Sequence, residues 1–372
     1  MTARRVVRGA AAAAAALASG TLAAQTPAEH ANAAVTRQYE TVKLADGVYA
    51  FIAPETFGSY VGGNSMAVIG DSAVLVFDSG AFPALTRRMI ADIRKLTDRP
   101  VRWVVNSHWH PDHWLGNAEY RAAFPNVAIV STADTRDHIV RQGAGFVQER
   151  LDSASLQAFF RTALATGKLP NGTPLTEAQR HYGIATIPLA RAAYPAWQGA
   201  RVELPNVTFD QSLRVQLGGA REVRVMFLGR GNTAGDAVAF VPDARVLATG
   251  DLVVAPVPYS YGSYLGEWIE TLGKLTALAP AAIVPGHGPV QRDTAYIALV
   301  SQALTAARTQ VAAAARRGLS LDSTRVLVRL DGFRDRFAGT SQTRRDSFEQ
   351  DFLGGAVQRA YEEWKFQQTP TP

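Results

Sequence analysis

The 372-residue sequence contains no cysteine, so no disulfide can stabilise the fold, and stability has to come from the core and any bound metal. It also lacks charge runs, internal repeats, a P-loop and a dinucleotide-binding fingerprint. Removing Arg4, Arg5 and Arg8 from the 38 basic residues leaves 35, against 32 acidic ones. An excess this small and scattered argues against a nucleic-acid partner. With 47% hydrophobic residues, the composition predicts one large globular domain with an extension.

The N-terminus has the three-part pattern of an export signal. Arg4, Arg5 and Arg8 precede an alanine-rich apolar run, and small residues follow around 21–24. This predicts a cleaved signal peptide over 1–24 and a polar linker over 25–37. The alternative, a membrane anchor, fits poorly because the run is short and rich in alanine. We therefore expect a periplasmic or secreted protein with a small-molecule substrate and no membrane contact after cleavage, exported by either the Sec or the twin-arginine route.

The order of apolar segments indicates an α/β protein. Residues 39–52 and 65–78 alternate as hairpins, a helix over 85–96 follows, and Val101–Val105 forms a short buried strand. Residues 132–198 have helical periodicity, which predicts a helical insertion. We expect this insertion to cover the site as a lid. A further hairpin is expected over 207–217, and helical patterns over 301–372 predict a C-terminal extension.

The most informative segment is NSHWHPDHWLGN, residues 106–117, which directly follows the strand Val101–Val105. It places His108, His110, Asp112 and His113 within six consecutive positions at the end of a buried strand. Imidazole and carboxylate donors grouped this closely are typical ligands for one or two borderline metal ions. A histidine-bearing turn without metal is the alternative reading.

The HxHxDH pattern resembles that of the metallo-β-lactamase superfamily. The resemblance implies an αββα sandwich over 38–300 that holds one or two metal ions, usually zinc, with iron or manganese as alternatives. The segments VPDARVLATGDLV and AAIVPGHG are similar to later landmarks of the family, which imply bridging ligand Asp251 and last ligand His287. Asp78 ends a strand where the family supports a ligand histidine. A plain turn carboxylate is the alternative role for Asp78.

The chain departs from the family at Asn232, which occupies the usual position of a third histidine in the first metal site. An amide oxygen is a weaker zinc donor than imidazole, so Asn232 is expected to contact metal or substrate weakly or through water. A distant residue such as His181 is an alternative third donor. Tyr259 and Tyr261, which follow Asp251, are predicted to contact substrate, although aromatic packing of the loop is the alternative.

The resemblance implies a hydrolase in which zinc lowers the pKa of its water to near 7 and polarises a carbonyl. Asp112 is expected both to bind metal and to carry the proton to the leaving group. Export favours a β-lactam or another xenobiotic, whereas the bridging Asp251 is more similar to family members acting on thioesters and lactones. An iron-dependent oxidoreductase and a non-catalytic metal-binding relative are the alternative functions. The sequence leaves the oligomeric state open.

Overall fold

The computed structural model of the protein describes residues 39–55, 62–170, 172–177, 179–181, 183, 184, 187 and 194–368. The predicted signal peptide and linker lie outside these residues. Within them, no helix combines the length and the hydropathy needed to cross a membrane.

The first sheet has seven strands in sequence order, antiparallel at its start and parallel from the fourth strand onwards. The two predicted hairpins at its start are present. Its strands are β1 Glu40–Ala45, β2 Val48–Ile52, β3 Ser65–Ile69, β4 Val74–Phe77, β5 Val101–Val105, β6 Ala128–Thr132 and β7 Val207–Phe209.

The second sheet has five strands in the order β12, β11, β10, β9, β8. They are β8 Ser212–Gln216, β9 Glu222–Phe227, β10 Ala237–Val241, β11 Val246–Ala248 and β12 Ala282–Val284. The hairpin expected over 207–217 is wrong, because β7 pairs with β6 in the first sheet while β8 pairs with β9 in the second. Asp210 and Gln211 connect the two sheets, and no local pattern separates such a crossing from a hairpin turn.

Helices cover the outer faces of both sheets. Those that follow strands of the first half are α1 Pro83–Leu96, α2 Pro111–Trp114, α3 Asn117–Ala123, α4 Ala133–Leu151 and α5 Ser153–Thr166. Those of the second half and the extension are α6 Leu265–Ala277, α7 Ala295–Arg316, α8 Leu321–Leu327, α9 Asp331–Ala338, α10 Gln342–Ser347 and α11 Gly354–Gln368. Short 3-10 helices span Tyr194–Trp197 and Gly250–Leu252, and a π-helical segment spans Phe348–Leu353.

Strand β4 shows how the sequence produces the layers. Its successive residues point to opposite faces, as in any strand. Leu75 and Phe77 join the core between the two sheets, whereas Val74 and Val76 pack with α1 on the outer face of the first sheet. Because both faces are covered, the strand is a continuous apolar run. Trp268 and other residues of α6, α7 and the last helices cover the second sheet. The order helix, sheet, sheet, helix confirms the predicted αββα sandwich with its C-terminal helical extension.

Residues 132–198, predicted to be helical, contain α4 and α5. The helical pattern predicted at the end of the extension is present as a continuous helical stretch over residues 342–368, in which the π-helical segment lies between α10 and α11. Phe348 and Phe352 in this segment are fully buried against the helices over the second sheet.

Candidate metal centre

The six predicted metal ligands come together at one edge of the sandwich, although they derive from both sheets. His108, His110, Asp112 and His113 lie just after β5, in the loop and the short helix α2. Asp251 lies in the 3-10 helix after β11, and His287 lies in the loop after β12. A Cβ atom at Gly286 would lie 2.0 Å from Asp251 Oδ1, so this approach of the last loop to the centre requires glycine.

Asp251 stands between two groups of donors. Its Oδ2 atom lies 3.5 Å from His108 Nε2 and 3.6 Å from His110 Nδ1. Its Oδ1 atom lies 3.2 Å from His113 Nε2 and 3.4 Å from His287 Nε2. The two oxygens therefore face different donor groups, which is the arrangement that a bridging carboxylate requires.

Asp112 completes the second group. Its Oδ2 atom lies 3.2 Å from His113 Nε2 and 3.1 Å from His287 Nε2. The second group therefore has four facing donors when Asp251 Oδ1 is included, whereas the first has three: His108, His110 and Asp251 Oδ2. The difference in the number of donors follows from the residues that form the two groups.

The donor set fits bound cations. Among the described residues, His108 Nε2, Asp112 Oδ2 and Asp251 Oδ1 are buried atoms without a hydrogen-bond partner. Buried polar atoms are normally satisfied, so three such atoms pointing into one cluster indicate a ligand. Nitrogen and carboxylate donors of this kind suit zinc and related divalent ions.

The charges of the cluster also favour a cation. Burial opposes the ionisation of Asp251, but the nearby His287, His113 and His108 hold its pKa well below the usual value. Burial lowers the pKa of His108 to about 3, which leaves this imidazole neutral and able to act as a ligand. Burial also works against protonation of His113, yet Asp112, Asp251 and Asp78 together raise its pKa well above normal. A metal ion can replace the proton that these carboxylates attract.

Asp78 holds two of the ligand histidines in place. Its Oδ2 atom lies 2.8 Å from His113 Nδ1 and accepts a 2.8 Å hydrogen bond from the Ser107 hydroxyl, while its Oδ1 accepts the Ser107 backbone N–H at 2.7 Å. The Ser107 hydroxyl in turn lies 2.8 Å from His108 Nδ1. These contacts leave the Nε2 atoms of His108 and His113 facing the cluster, as the proposed supporting role of Asp78 requires.

We expect Asp78→Asn to weaken metal binding by roughly 10- to 100-fold, the usual cost of removing a partner that orients a ligand histidine. Asparagine keeps the side-chain shape and tolerates the positive φ of 59° at this position, so the change isolates the lost carboxylate. Equilibrium dialysis against a metal indicator measures the effect. Unchanged metal affinity would show that Asp78 is an ordinary turn carboxylate.

The ends of the ligand segment are tied together by two asparagines. Asn106 and Asn117 exchange side-chain amide hydrogen bonds of 3.0 Å and 2.8 Å, and both residues are fully buried. The Trp114 indole N–H donates to the Trp109 carbonyl at 2.8 Å. The loop is thereby fixed by its own side chains, which holds its histidines in position before any ligand arrives.

Asn232 is buried beside the centre but is already engaged. Its Nδ2 atom donates to the Tyr259 carbonyl at 3.0 Å, while its Oδ1 atom is buried without a hydrogen-bond partner among the described residues. The Tyr259 ring in turn packs edge-on against the His110 ring, with the centroids 5.7 Å apart. Asn232 therefore holds the loop after Asp251 through the Tyr259 carbonyl, and the Tyr259 ring itself contacts the first donor group at His110.

A cavity of about 310 Å³ opens onto the metal ligands. Tyr259 lines it as predicted, whereas Tyr261 does not line it and is 40% exposed. Several lining residues were missed in the sequence. Trp109 lies between two predicted ligands in the sequence and could have been identified from that position. No local sequence pattern indicated the others, Glu55, Phe146, Arg344 and Asp351.

The two remaining described histidines lie outside the donor groups. His138 stacks on Trp109, with ring centroids 5.3 Å apart. His181 Nδ1 lies 3.1 Å from the Asp346 carboxylate in a separate surface depression. The structure thus gives His181 a partner in the C-terminal extension and does not bring it to the metal ligands.

Comparison with known proteins agrees with this geometry. A family model described as the Metallo-beta-lactamase superfamily matches residues 59–287. A linear primary-alkylsulfatase from Pseudomonas sp. (strain ATCC 19151) is 27% identical over 229 residues, which is 58% of this chain and 39% of the relative. The chain therefore spans about two fifths of the length of this relative.

Solved structures show the same fold. A metallo-beta-lactamase from Pontibacter korlensis superposes with a TM-score of 0.50 at 19% sequence identity, covering 71% of this chain and 99% of the other. At this identity the likeness establishes the sandwich and leaves the substrate open.

Proposed function

Because the chain belongs to the metallo-β-lactamase superfamily, we propose that it is an exported zinc-dependent hydrolase that cleaves an amide, ester, lactone or thioester carbonyl. The family match, the sulfatase relative and the two donor groups support a metal-dependent hydrolase in general. The observation that carries the proposal is the position of Asp251, whose two oxygens face separate donor groups at the base of the cavity.

The ligand residues would hold the ions as two groups that share Asp251. When bound, a zinc ion supplies Lewis acidity to the carbonyl and lowers the pKa of a water molecule to near 7. Asp112 lines the cavity, which supports the proposal that its carboxylate takes a proton from the attacking water and delivers it to the leaving group. No serine or cysteine nucleophile is needed for this chemistry.

Tyr259 and Trp109 have different proposed roles in the cavity: the first donates a hydrogen bond to the substrate and the second excludes water. Burial raises the pKa of the Tyr259 phenol to about 12, so this hydroxyl remains protonated at neutral pH and can donate a hydrogen bond to the substrate. The Trp109 ring stacks on Phe146 from the helical insertion, with the centroids 5.7 Å apart. Both rings line the cavity and exclude water from that side of it.

The proposed reaction is tested with zinc-loaded protein and a panel of β-lactam, lactone, thioester and simple ester substrates. We expect turnover in at least one class, with the activity lost on chelation and restored by zinc. Absence of turnover across the panel in protein that binds metal would reject carbonyl hydrolysis. A purified protein that contains iron and consumes oxygen would instead support the oxidoreductase alternative.

A sulfate ester is the second candidate substrate class, favoured by the linear primary-alkylsulfatase that is 27% identical over 229 residues. The apolar cavity residues, including Val254 and Val257, suit an alkyl chain equally well in either class. Including a medium-chain alkyl sulfate in the panel separates the two. Release of sulfate without cleavage of any carbonyl substrate would replace the carbonyl assignment with sulfate-ester hydrolysis.

Export is proposed from the arginine and alanine pattern of residues 1–24. We expect processing near Ala23 or Ala24, so the intact mass of protein recovered outside the cytoplasm should lack about two dozen N-terminal residues. A full-length chain confined to the cytoplasm of its natural host would contradict this proposal.

A further inference from the structure

The C-terminal extension forms one wall of the cavity, outside the family-matched residues 59–287. Thr343, Ser347 and Asp351 recur at every fourth position along α10 and the π-helical segment, and all three line the cavity. Residues at this spacing share one face of a helix. The wall is therefore a stripe of hydroxyl and carboxyl groups, and π-helical segments of this kind occur frequently at functional sites.

An ion pair closes the outer end of the wall without leaving net charge there. Arg344 donates from Nε and Nη2 to the two oxygens of Glu55, at 2.7 Å and 2.6 Å. Both residues line the cavity, and among its described lining residues Arg344 is the one arginine or lysine. The bidentate geometry offsets the guanidinium charge and leaves Nη1 outside the ion pair.

Asp351 is the carboxyl group of the wall. Its backbone carbonyl accepts the Ser260 N–H at 2.9 Å, which connects the wall to the loop that carries Tyr259. Burial raises the pKa of Asp351 to about 7, so at neutral pH a large share of these carboxyl groups carries a proton. A protonated carboxyl group both donates and accepts hydrogen bonds.

The rest of the cavity is largely apolar. Trp109, Phe146, Val254 and Val257 line it, and the metal ligands occupy its base. With a volume of about 310 Å³, it lies at the small end of the range for ligand sites. A ligand that contacts both the metal ligands and the wall would therefore also contact apolar side chains.

We propose that Ser347 and Asp351 form a specificity subsite for an uncharged hydrogen-bonding group, an amide or hydroxyl, of the substrate. This inference rests on the proposed function, because it names the substrate class of the same site. A carboxylate end would meet the Asp351 carboxyl group and an Arg344 guanidinium whose charge Glu55 already offsets, so its own charge would find no free partner. An ammonium end would gain a partner only from the ionised share of the Asp351 carboxyl groups and would lose its hydration against the rest of the wall.

The test uses hydroxamic acids, which bind metal through one end, with tails of about five carbons that end in methyl, primary amide, carboxylate or ammonium. Their affinities for the zinc-loaded full chain are measured by calorimetry. We expect the amide tail to bind roughly 3- to 10-fold more tightly than the methyl tail, the value of one net hydrogen bond, and both charged tails to bind more weakly than the amide.

Three wall variants and one matched control locate the effect. Asp351→Leu should bring the ratio of amide to methyl affinity close to one, and Ser347→Ala should reduce it, whereas Asp351→Asn should preserve it. Asp322→Leu makes the same change at an exposed carboxylate of the extension and should leave the ratio unchanged. If Asp351→Leu does not fold, Ser347→Ala still reports on the wall.

The subsite is overturned if the methyl tail binds as tightly as the amide, if a charged tail binds most tightly, or if no hydroxamate binds. It is also overturned if neither Asp351→Leu nor Ser347→Ala alters the ratio of amide to methyl affinity. Hydroxamate binding requires no turnover. An amide preference in a protein that cleaves nothing would therefore reject the proposed hydrolase and retain the subsite. Ester cleavage without a tail preference would support the hydrolase and reject the subsite.

Discussion

Asp251→Ala and His113→Ala should each lower kcat/KM by on the order of a thousandfold or more and reduce the bound metal. The bound ion supplies several kcal/mol of transition-state stabilisation, and each 1.4 kcal/mol corresponds to a factor of ten. Asp251 faces both donor groups and His113 faces two carboxylates, so removing either breaks more than one contact of the centre. Elemental analysis of dialysed protein and steady-state kinetics measure the two effects.

His138→Ala and His181→Ala are the matched controls, because each removes an imidazole that lies outside the donor groups. Both variants should keep the metal content of the unaltered protein. Near-normal activity with full metal content in Asp251→Ala or His113→Ala would refute the ligand assignment. Loss of metal in His181→Ala would refute the conclusion that His181 lies apart from the donor groups.

Asn232→His should tighten the weaker of two metal sites. The first donor group has three facing donors and the second has four, so the unaltered protein should hold one metal tightly and exchange the other readily. An imidazole at position 232 adds a nitrogen donor to the first group. By analogy with zinc-imidazole bonding at structural sites, the gain should be a few kcal/mol, on the order of a hundredfold in affinity.

Competition with a chromophoric chelator measures both affinities in the unaltered protein, Asn232→His and Asn232→Ala. Asn232→Ala removes the hydrogen bond to Tyr259 without adding a donor, so it should leave the weaker site weak and thereby separate ligation from loop packing. Two equally tight metals in the unaltered protein would contradict the prediction. The expected change concerns occupancy, and activity is free to rise or fall.

The fold and the grouping of the six predicted ligands were largely predictable because their signals are local or ordered along the chain. The strand Val101–Val105 and the histidines after it appear in a single segment, and the positions of Asp251 and His287 followed from segments resembling the family. The structure brings all six predicted ligands together, and it confirms the αββα sandwich. Period-two and helical patterns identified most elements because both depend on neighbouring residues.

The features that were missed depend on contacts between distant parts of the chain. The crossing at Asp210 and Gln211 resembles a hairpin turn until the pairing of both flanking strands is known. The pairing of Arg344 with Glu55 joins residues 289 positions apart, and neither has a neighbouring pattern that indicates a cavity. Tyr259 and Tyr261 looked equivalent in sequence, yet only the first lines the cavity, while the second is 40% exposed.

The predicted metal ligands come from both sheets, so an ion bound to them would link the two halves of the sandwich. His113 and His287 are 174 positions apart, so the complete set of donors exists only after both sheets have docked. An ion that binds only this docked state adds its binding free energy to the resistance of the chain against unfolding, about 2.7 kcal/mol at a free concentration 100 times the Kd. Under the proposed function, the persistence of this cysteine-free protein would depend on the metal supply of its surroundings, whereas many exported proteins depend on disulfides.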